Sequence, residues 1–412
     1  MATPIYSPSP RLDRFQQSLE SIYGSFSSIP DPSTWTPPPK SGGHRGRYLW
    51  TDAYGVLNLL TMHHEYTAML DLTTNTSEKE KNRYLTMAER LVETVHEVLG
   101  RTRDGKKRLP GASEENVLGG GLRIGKEEES GMDGDGQYHH YLTVWMFALN
   151  RLSMASGDGR YNRQAVALAK AIHPRFFVNR KSSRPRMVWK MAMDLSGPLV
   201  QSEGNLDPID GFVVFRLLQA AAVRFDGEES EGVLSEEIDD YRRVMARKGE
   251  HFVSSDPLDL GMTLWTAHWF SEREEWAARL AGRCFEQLCM PPPFLPSPIS
   301  AIPANEVDDL FEINRYLERN PKYRLAFREF GTALGAQCQS HQSTEKDRAV
   351  DLKNYADAII TAWDPYMELT LGSDLMHDDL RPITRVMYAT ALVPGAFQYG
   401  YFGPEPKSTL EK

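Results

Sequence analysis

Helical periodicity runs through almost the whole chain, and the periodic segments are of two kinds in strict alternation. Six are apolar around most of their circumference: 48–66, 138–155, 208–223, 258–270, 323–338 and 382–393. Six others carry charge along one side: 11–26, 78–99, 160–173, 234–248, 272–289 and 345–363. A helix apolar all round must be buried, whereas a one-sided helix lies between core and water. Outer then inner, repeated to the end of the chain, predicts an all-α fold, an (α/α)6 toroid with an inner ring of helices surrounded by an outer one. Strand signals are scarce. Only "RMVWKMAMDL" (186–195) has a period nearer two, and a small β-hairpin is expected there.

The connections place the functional end. Turns from inner to outer helices are short or modest, as at "SGDG" (156–159). The outer-to-inner connections 27–47, 100–137, 174–207, 289–322 and 364–381 are longer and rich in Gly, Pro and polar residues. The inner helices then run parallel, with their amino ends and the long loops together at one end of the ring. Long loops on a rigid scaffold are where binding sites are usually built. A single domain over 1–412 is expected, with 1–10 and 405–412 as flexible ends, because no low-complexity linker interrupts the pattern.

Composition narrows the class of partner. With 41% hydrophobic and 25% charged residues, the 412-residue chain reads as globular. Its net charge of −9 argues against a nucleic-acid or membrane-surface binder, since either needs a basic face. No apolar run has signal-peptide or bilayer-spanning character, so a cytoplasmic location is expected. Cys284, Cys289 and Cys338 offer neither a disulfide framework nor a zinc ligand set, and no metal or other cofactor is expected. Oligomeric state is left open.

Together with the alternation, "YLWTDAYGVLN", "GDGQYHHYLTVWMFALNRLS", "WKMAMDLSGPLV" and "DPIDGF" resemble segments of the six-hairpin glycosidase-like superfamily, most of all an uncharacterised cytosolic group within it. The resemblance covers nearly the whole chain. It implies a carbohydrate-active enzyme whose partner is a small saccharide or glycoside. That fold serves glycoside hydrolases, sugar epimerases, uronate-acting hydrolases and lyases, and related toroids serve terpene cyclases, so fold alone does not select the reaction. No catalytic motif of a characterised member matches residue for residue, and no catalytic role is carried over.

Every apolar helix opens on polar residues. Asp52, Asp135, Asp210 and Glu329 are the carboxylates that face one another across a ring, and glycoside hydrolysis needs two such groups flanking the bond. Asp52 and Glu329 lie inside apolar helices, where an unpaired carboxylate is expensive to desolvate. A structural salt bridge, Glu329 with Arg328 or Arg385, is the competing reading. Asp207 and Asp256, each before a proline, read as caps or turn residues. His140 is the candidate acid or base for a second chemistry, sugar epimerisation, because histidine titrates near neutrality. His139 and His140 point about 100° apart on a helix, so only one enters the lumen in a given way, and His377 is a partner across the ring.

Aromatic walls with a few polar groups suit sugar faces. Tyr48, Trp50, Tyr138 and Trp189 are the lining candidates, whereas Trp145 and Trp265 read as core. Lys190, Arg328 and Arg385 are further substrate-binding candidates; Arg123, Lys126 and Lys190 in the long loops are able to hold a carboxylate or phosphate on the ligand, although solvated loop charge is the simpler reading for Arg123 and Lys126. "DDLFE" (308–312) has the spacing of a terpene-cyclase metal motif, although a solvated helix start through Asp308, Asp309 and Glu312 is the simpler reading. A non-catalytic binding protein on the same fold completes the alternatives.

Overall fold

The computed structural model describes residues 9–44, 46–70, 77–131, 133–289, 317–367 and 380–407, together with position 313. Among these residues the long helices follow the expected alternation. The inner set is α2 (Leu49–Leu70), α4 (His139–Ser156), α6 (Asp207–Asp226), α8 (Pro257–His268), α10 (Ala326–Gln342) and α12 (Arg381–Leu392). The outer set is α1 (Pro10–Tyr23), α3 (Arg83–Leu99), α5 (Arg160–Phe176), α7 (Ser235–Val244), α9 (Glu275–Cys289) and α11 (Lys346–Trp363). Burial follows the two kinds of sequence. Every residue is buried from Leu49 to Met62, from Leu142 to Met154 and from Asp207 to Ala222. The outer helix α3 buries only one stripe, Tyr84, Met87, Ala88, Leu91, Val92, Val95 and Leu99, at three- and four-residue spacing.

Successive inner helices touch, and α12 lies against both α10 and α2, so the ring closes. The tightest wall is between α8 and α10. A Cβ at Gly261 would overlap the Gly331 carbonyl, and one at Gly335 would overlap the Gly261 carbonyl. Two backbones meet there with no side chain between them. Gly335→Val should therefore force the wall apart and lower stability by about 1–3 kcal/mol, measured by urea unfolding; an unchanged midpoint would contradict the contact.

The carboxy ends of the inner helices are closed by the last described segment. Phe397 enters among Tyr54, Phe147 and Trp265, with ring centroids 4.9, 5.9 and 5.6 Å away. The Trp265 indole donates to the Phe397 carbonyl at 3.2 Å, and the Tyr399 amide donates to His268 Nε2 at 3.1 Å. Glu405, expected in a flexible end, is instead pinned. Its carboxylate lies 2.7 Å from Arg151 Nη1 with side-chain exposures of 3% and 1%, and the guanidinium covers the Trp269 ring at 4.8 Å.

The expected strand signal at 186–195 is present but divided. Phe177–Val178 pairs antiparallel with Arg186–Met187, whereas Lys190–Met191 pairs with Gln137–Tyr138 from the preceding long loop. The second pairing is long-range and ties two rim loops together at the amino end of α4. Breaking the buried Glu405–Arg151 pair by Glu405→Ala should cost about 3–5 kcal/mol and lower the thermal midpoint, whereas a frayed tail would leave it unmoved.

Candidate active site

Helical periodicity decides which entrance residues reach the lumen. On α6, Gly211 and Phe215 face Tyr241 of α7 and Arg216 reaches Glu274 ahead of α9, so that side looks outward. Asp210 lies on the opposite side. On α4, His139 turns outward, with Nε2 2.6 Å from the Tyr241 hydroxyl. His140 consequently turns inward, where its ring meets Trp50 at 5.3 Å and Tyr141 at 4.6 Å. On α2, Trp50 and Tyr54 stack at 5.2 Å on the inner side, and the Tyr54 hydroxyl donates to Met262 of α8 at 3.2 Å. Asp259 sits one turn before Met262 on that same face.

Asp210, Asp259, Arg328 and Tyr141 are electrostatic neighbours in the first turns of the inner helices, and Tyr141 in turn packs against His140 and Trp50. Asp210 is the unusual member. It is 1% exposed, and neither carboxylate oxygen has a hydrogen-bond partner among the described residues. Burial pushes its pKa well above the ordinary carboxylate range, and the charges of Asp207 and Asp259 push the same way. Asp259 is half-buried and accepts from Asn205 Nδ2 and Ser254 Oγ, each at 3.1 Å. Burial raises its pKa too, while those donors and Arg328 oppose the rise. Burial lowers His140 to about 4, so its imidazole is neutral at pH 7. Arg328 pairs with Asp256 at the mouth.

Several expected residues are committed elsewhere. Asp52 faces the outer layer, 3.3 Å from Arg47 Nη1 and 3.4 Å from the Tyr23 hydroxyl, and burial raises its pKa to about 6. Glu329 also turns outward, held by both Arg324 nitrogens and by the Trp363 indole at 2.7 Å. Its partner is Arg324, not Arg328 or Arg385. Asp135 clasps the glycine-rich loop, accepting from Arg103 at 3.2 Å, Arg123 at 3.1 Å and the Gly125 and Gly136 amides at 2.9 and 3.0 Å. Lys190 is buried under the same loop, donating to the Gly131 and Gly134 carbonyls at 3.1 and 3.0 Å. Arg385 donates to the Met367 carbonyl and is 6% exposed. These five do not join Asp210 in the lumen. His377, Asp308, Asp309 and Glu312 lie outside the described residues.

Tyr48, Tyr138 and Trp189 line the rim. The Tyr48 and Tyr141 hydroxyls are 2.7 Å apart, and Tyr138 stands edge-on between Tyr141 at 5.1 Å and Trp189 at 5.2 Å. A groove of about 890 Å³ flanks the rim between the turns at 102–107 and 192–196, but none of the expected site residues lines it. Its alternating charges, Arg103, Asp104, Lys106, Lys107, Glu129 and Asp194, contain no aromatic platform. Among the described residues no group of three His, Cys, Asp or Glu is placed to hold a metal ion. No helix among them is long and apolar enough to cross a membrane.

Asp259 and Tyr141 were not among the expected site residues. A repeated signal points to Asp259: "DPID" (207–210) and "DPLD" (256–259) open neighbouring inner helices. The first aspartate of the second copy caps its helix, accepting from the Leu258 and Asp259 amides at 2.9 and 3.3 Å. The corresponding Asp207 serves His139, whose Nδ1 lies 3.2 Å from its carboxylate. The second aspartate of each copy is carried inward.

The raised Asp210 pKa has a stability consequence with a definite sign. The folded state holds a proton that the unfolded state releases above the ordinary aspartate value of 3.8, so stability falls as pH rises from there toward the raised pKa. Asp210→Asn should flatten that slope by about one proton, gaining stability over the parent at pH 8 but not at pH 4. Thermal melts across this range check it, and parallel profiles would show that Asp210 ionises normally.

No family model matches the sequence, and no curated protein matches it. Solved structures do. A family 76 glycoside hydrolase from a bovine Bacteroides thetaiotaomicron strain aligns at a TM-score of 0.52 and 13% identity, over 93% of this chain and 77% of that one. The GH76A alpha-1,6-mannanase from Salegentibacter sp. HEL1_6 aligns at 0.51 and 11%, over 93% and 98%. At such identities the likeness is one of fold: the chain shares their (α/α)6 toroid.

Proposed function

We propose that the chain is a carbohydrate-active enzyme that hydrolyses a glycosidic bond in the upper lumen, with Asp210 as general acid and Asp259 as the second carboxylate. The observation that carries this reading is the environment of Asp210. A buried carboxyl with unpartnered oxygens is kept neutral, and a neutral carboxyl is what protonates a leaving oxygen. Asp259, more open and held by two donors, is the better anion. It acts on the opposite side of the bond as base or nucleophile. Environments that drive two carboxyls apart assign their roles. The fold shared with two glycoside hydrolases supports the substrate class.

A second reading rests on His140. Its neutral imidazole, packed on Trp50 and Tyr141 and still half-buried, is able to take a proton beside a sugar carbonyl, as epimerisation requires. One experiment separates the two. The folded chain is incubated with a panel of saccharides and aryl glycosides, following both reducing-end release and change of sugar configuration. For hydrolysis, Asp210→Asn and Asp259→Asn each lower turnover by about 10²–10⁴-fold, while His140→Gln costs less. Epimerisation reverses that ranking and releases no new reducing ends. Full activity in Asp210→Asn removes the hydrolytic reading.

A further inference from the structure

We propose that Trp189 is the stacking platform for a second sugar ring, so that the substrate is a saccharide of two or more rings and not a free monosaccharide. The inference rests on the carbohydrate reading above and deepens it.

Trp50, Trp145, Trp265 and Trp269 are each at most 1% exposed, as core residues should be. Trp189 is different: it keeps part of its surface open at the rim. Its indole nitrogen donates to Ser202 Oγ at 2.9 Å, which fixes the ring plane, and the ring stands perpendicular to Tyr138, at 5.2 Å and 83°. The Trp189 carbonyl accepts from the His139 amide at 3.1 Å, tying this loop to the start of α4. Gly204 ties the Trp189 backbone to the start of α6. A Cβ there would lie 3.0 Å from Trp189 Cβ and would overlap the Asp207 carboxylate, so the loop that carries Trp189 passes against the first turn of α6.

Tyr138 and Tyr141 continue the row of rings down to His140. A sugar ring seated at the His140 end of this row leaves Trp189, at its other end, to a neighbouring ring. A plane already held by Ser202 and Tyr138 loses little freedom on stacking, which is why a preformed aromatic face contributes to affinity.

The test is calorimetric binding of gluco-, galacto- and manno-configured saccharides of one, two and three rings, sulfur-linked so that no bond is cut, to the full chain. For the configuration bound best, the three-ring ligand should bind about tenfold more tightly than the one-ring ligand. Trp189→Ala should collapse that ratio to about one, and Trp189→Phe should restore most of it, with circular dichroism melts confirming that both variants fold. Affinity independent of ring number, or a ratio unaltered in Trp189→Ala, overturns the platform while leaving the carbohydrate reading in place. Failure of every saccharide to bind overturns that reading and the platform with it.

Discussion

Burial of the inner helices over most of their length is the constraint from which the other features follow. Once six helices are enclosed by an outer layer, each carboxylate they carry must find a cation, find amides, or give up its charge. The chain uses every solution. Asp52 faces Arg47, Glu329 is gripped by Arg324 and Trp363, and Asp135 takes two arginines and two backbone amides. Glu405 supplies the carboxylate that satisfies Arg151 near the carboxy ends of the inner helices. Asp210 has none of these partners, and burial pushes its pKa well above the ordinary carboxylate range. The residue that departs from the pattern is the one proposed above as general acid.

The same packing makes the two ends of the ring unlike. The segment after α12 covers the carboxy ends of the inner helices, with Phe397 packed among Tyr54, Phe147 and Trp265 in the interior of the ring and Glu405 paired with Arg151, and α8 meets α10 backbone to backbone in the wall. The polar side chains of the candidate site, His140, Asp210, Asp259 and Arg328, sit in the first turns of α4, α6, α8 and α10. The rim loops are not loose. Asp135, Lys190 and the Tyr138–Lys190 strand pairing lock them to one another and to α4, so Tyr138 and Trp189 are held at set positions around the mouth. Residues that read as substrate contacts by type, Asp135 and Lys190 above all, are spent on building the rim.

Periodicity reached the architecture because burial and amphipathicity are local averages over many residues, and a single misjudged position does not alter them. His140, Trp50 and Trp189 stood out in the sequence because large aromatic and imidazole groups near helix entrances and in long loops are conspicuous. Periodicity misdirected Asp52 and Glu329, since a carboxylate inside an apolar helix looks the same in a string of letters whether it points to the lumen or to the outer layer. Their partners, Arg47 and Arg324, come from the flanking connections, and only the folded chain places those guanidiniums on the outward side. The repeated Asp-Pro-X-Asp openings were readable, yet the second aspartate of "DPLD" is indistinguishable from a solvated first-turn residue until α6 and α8 are set side by side.

What the residue order settles without help is the number and kind of helices, their alternation, and therefore the toroid, because hydrophobic patterning acts along each segment independently. What it leaves to the assembled ring is the identity of the lumen residues. Rotating an inner helix by about 100° exchanges one neighbour for the next. That rotation is set by contacts made far away in the chain, His139 with Tyr241, Gly55 with Tyr23 and Gly261 with Gly331. Reactivity here is a matter of which side of a helix a carboxylate occupies, and side is a property of neighbours.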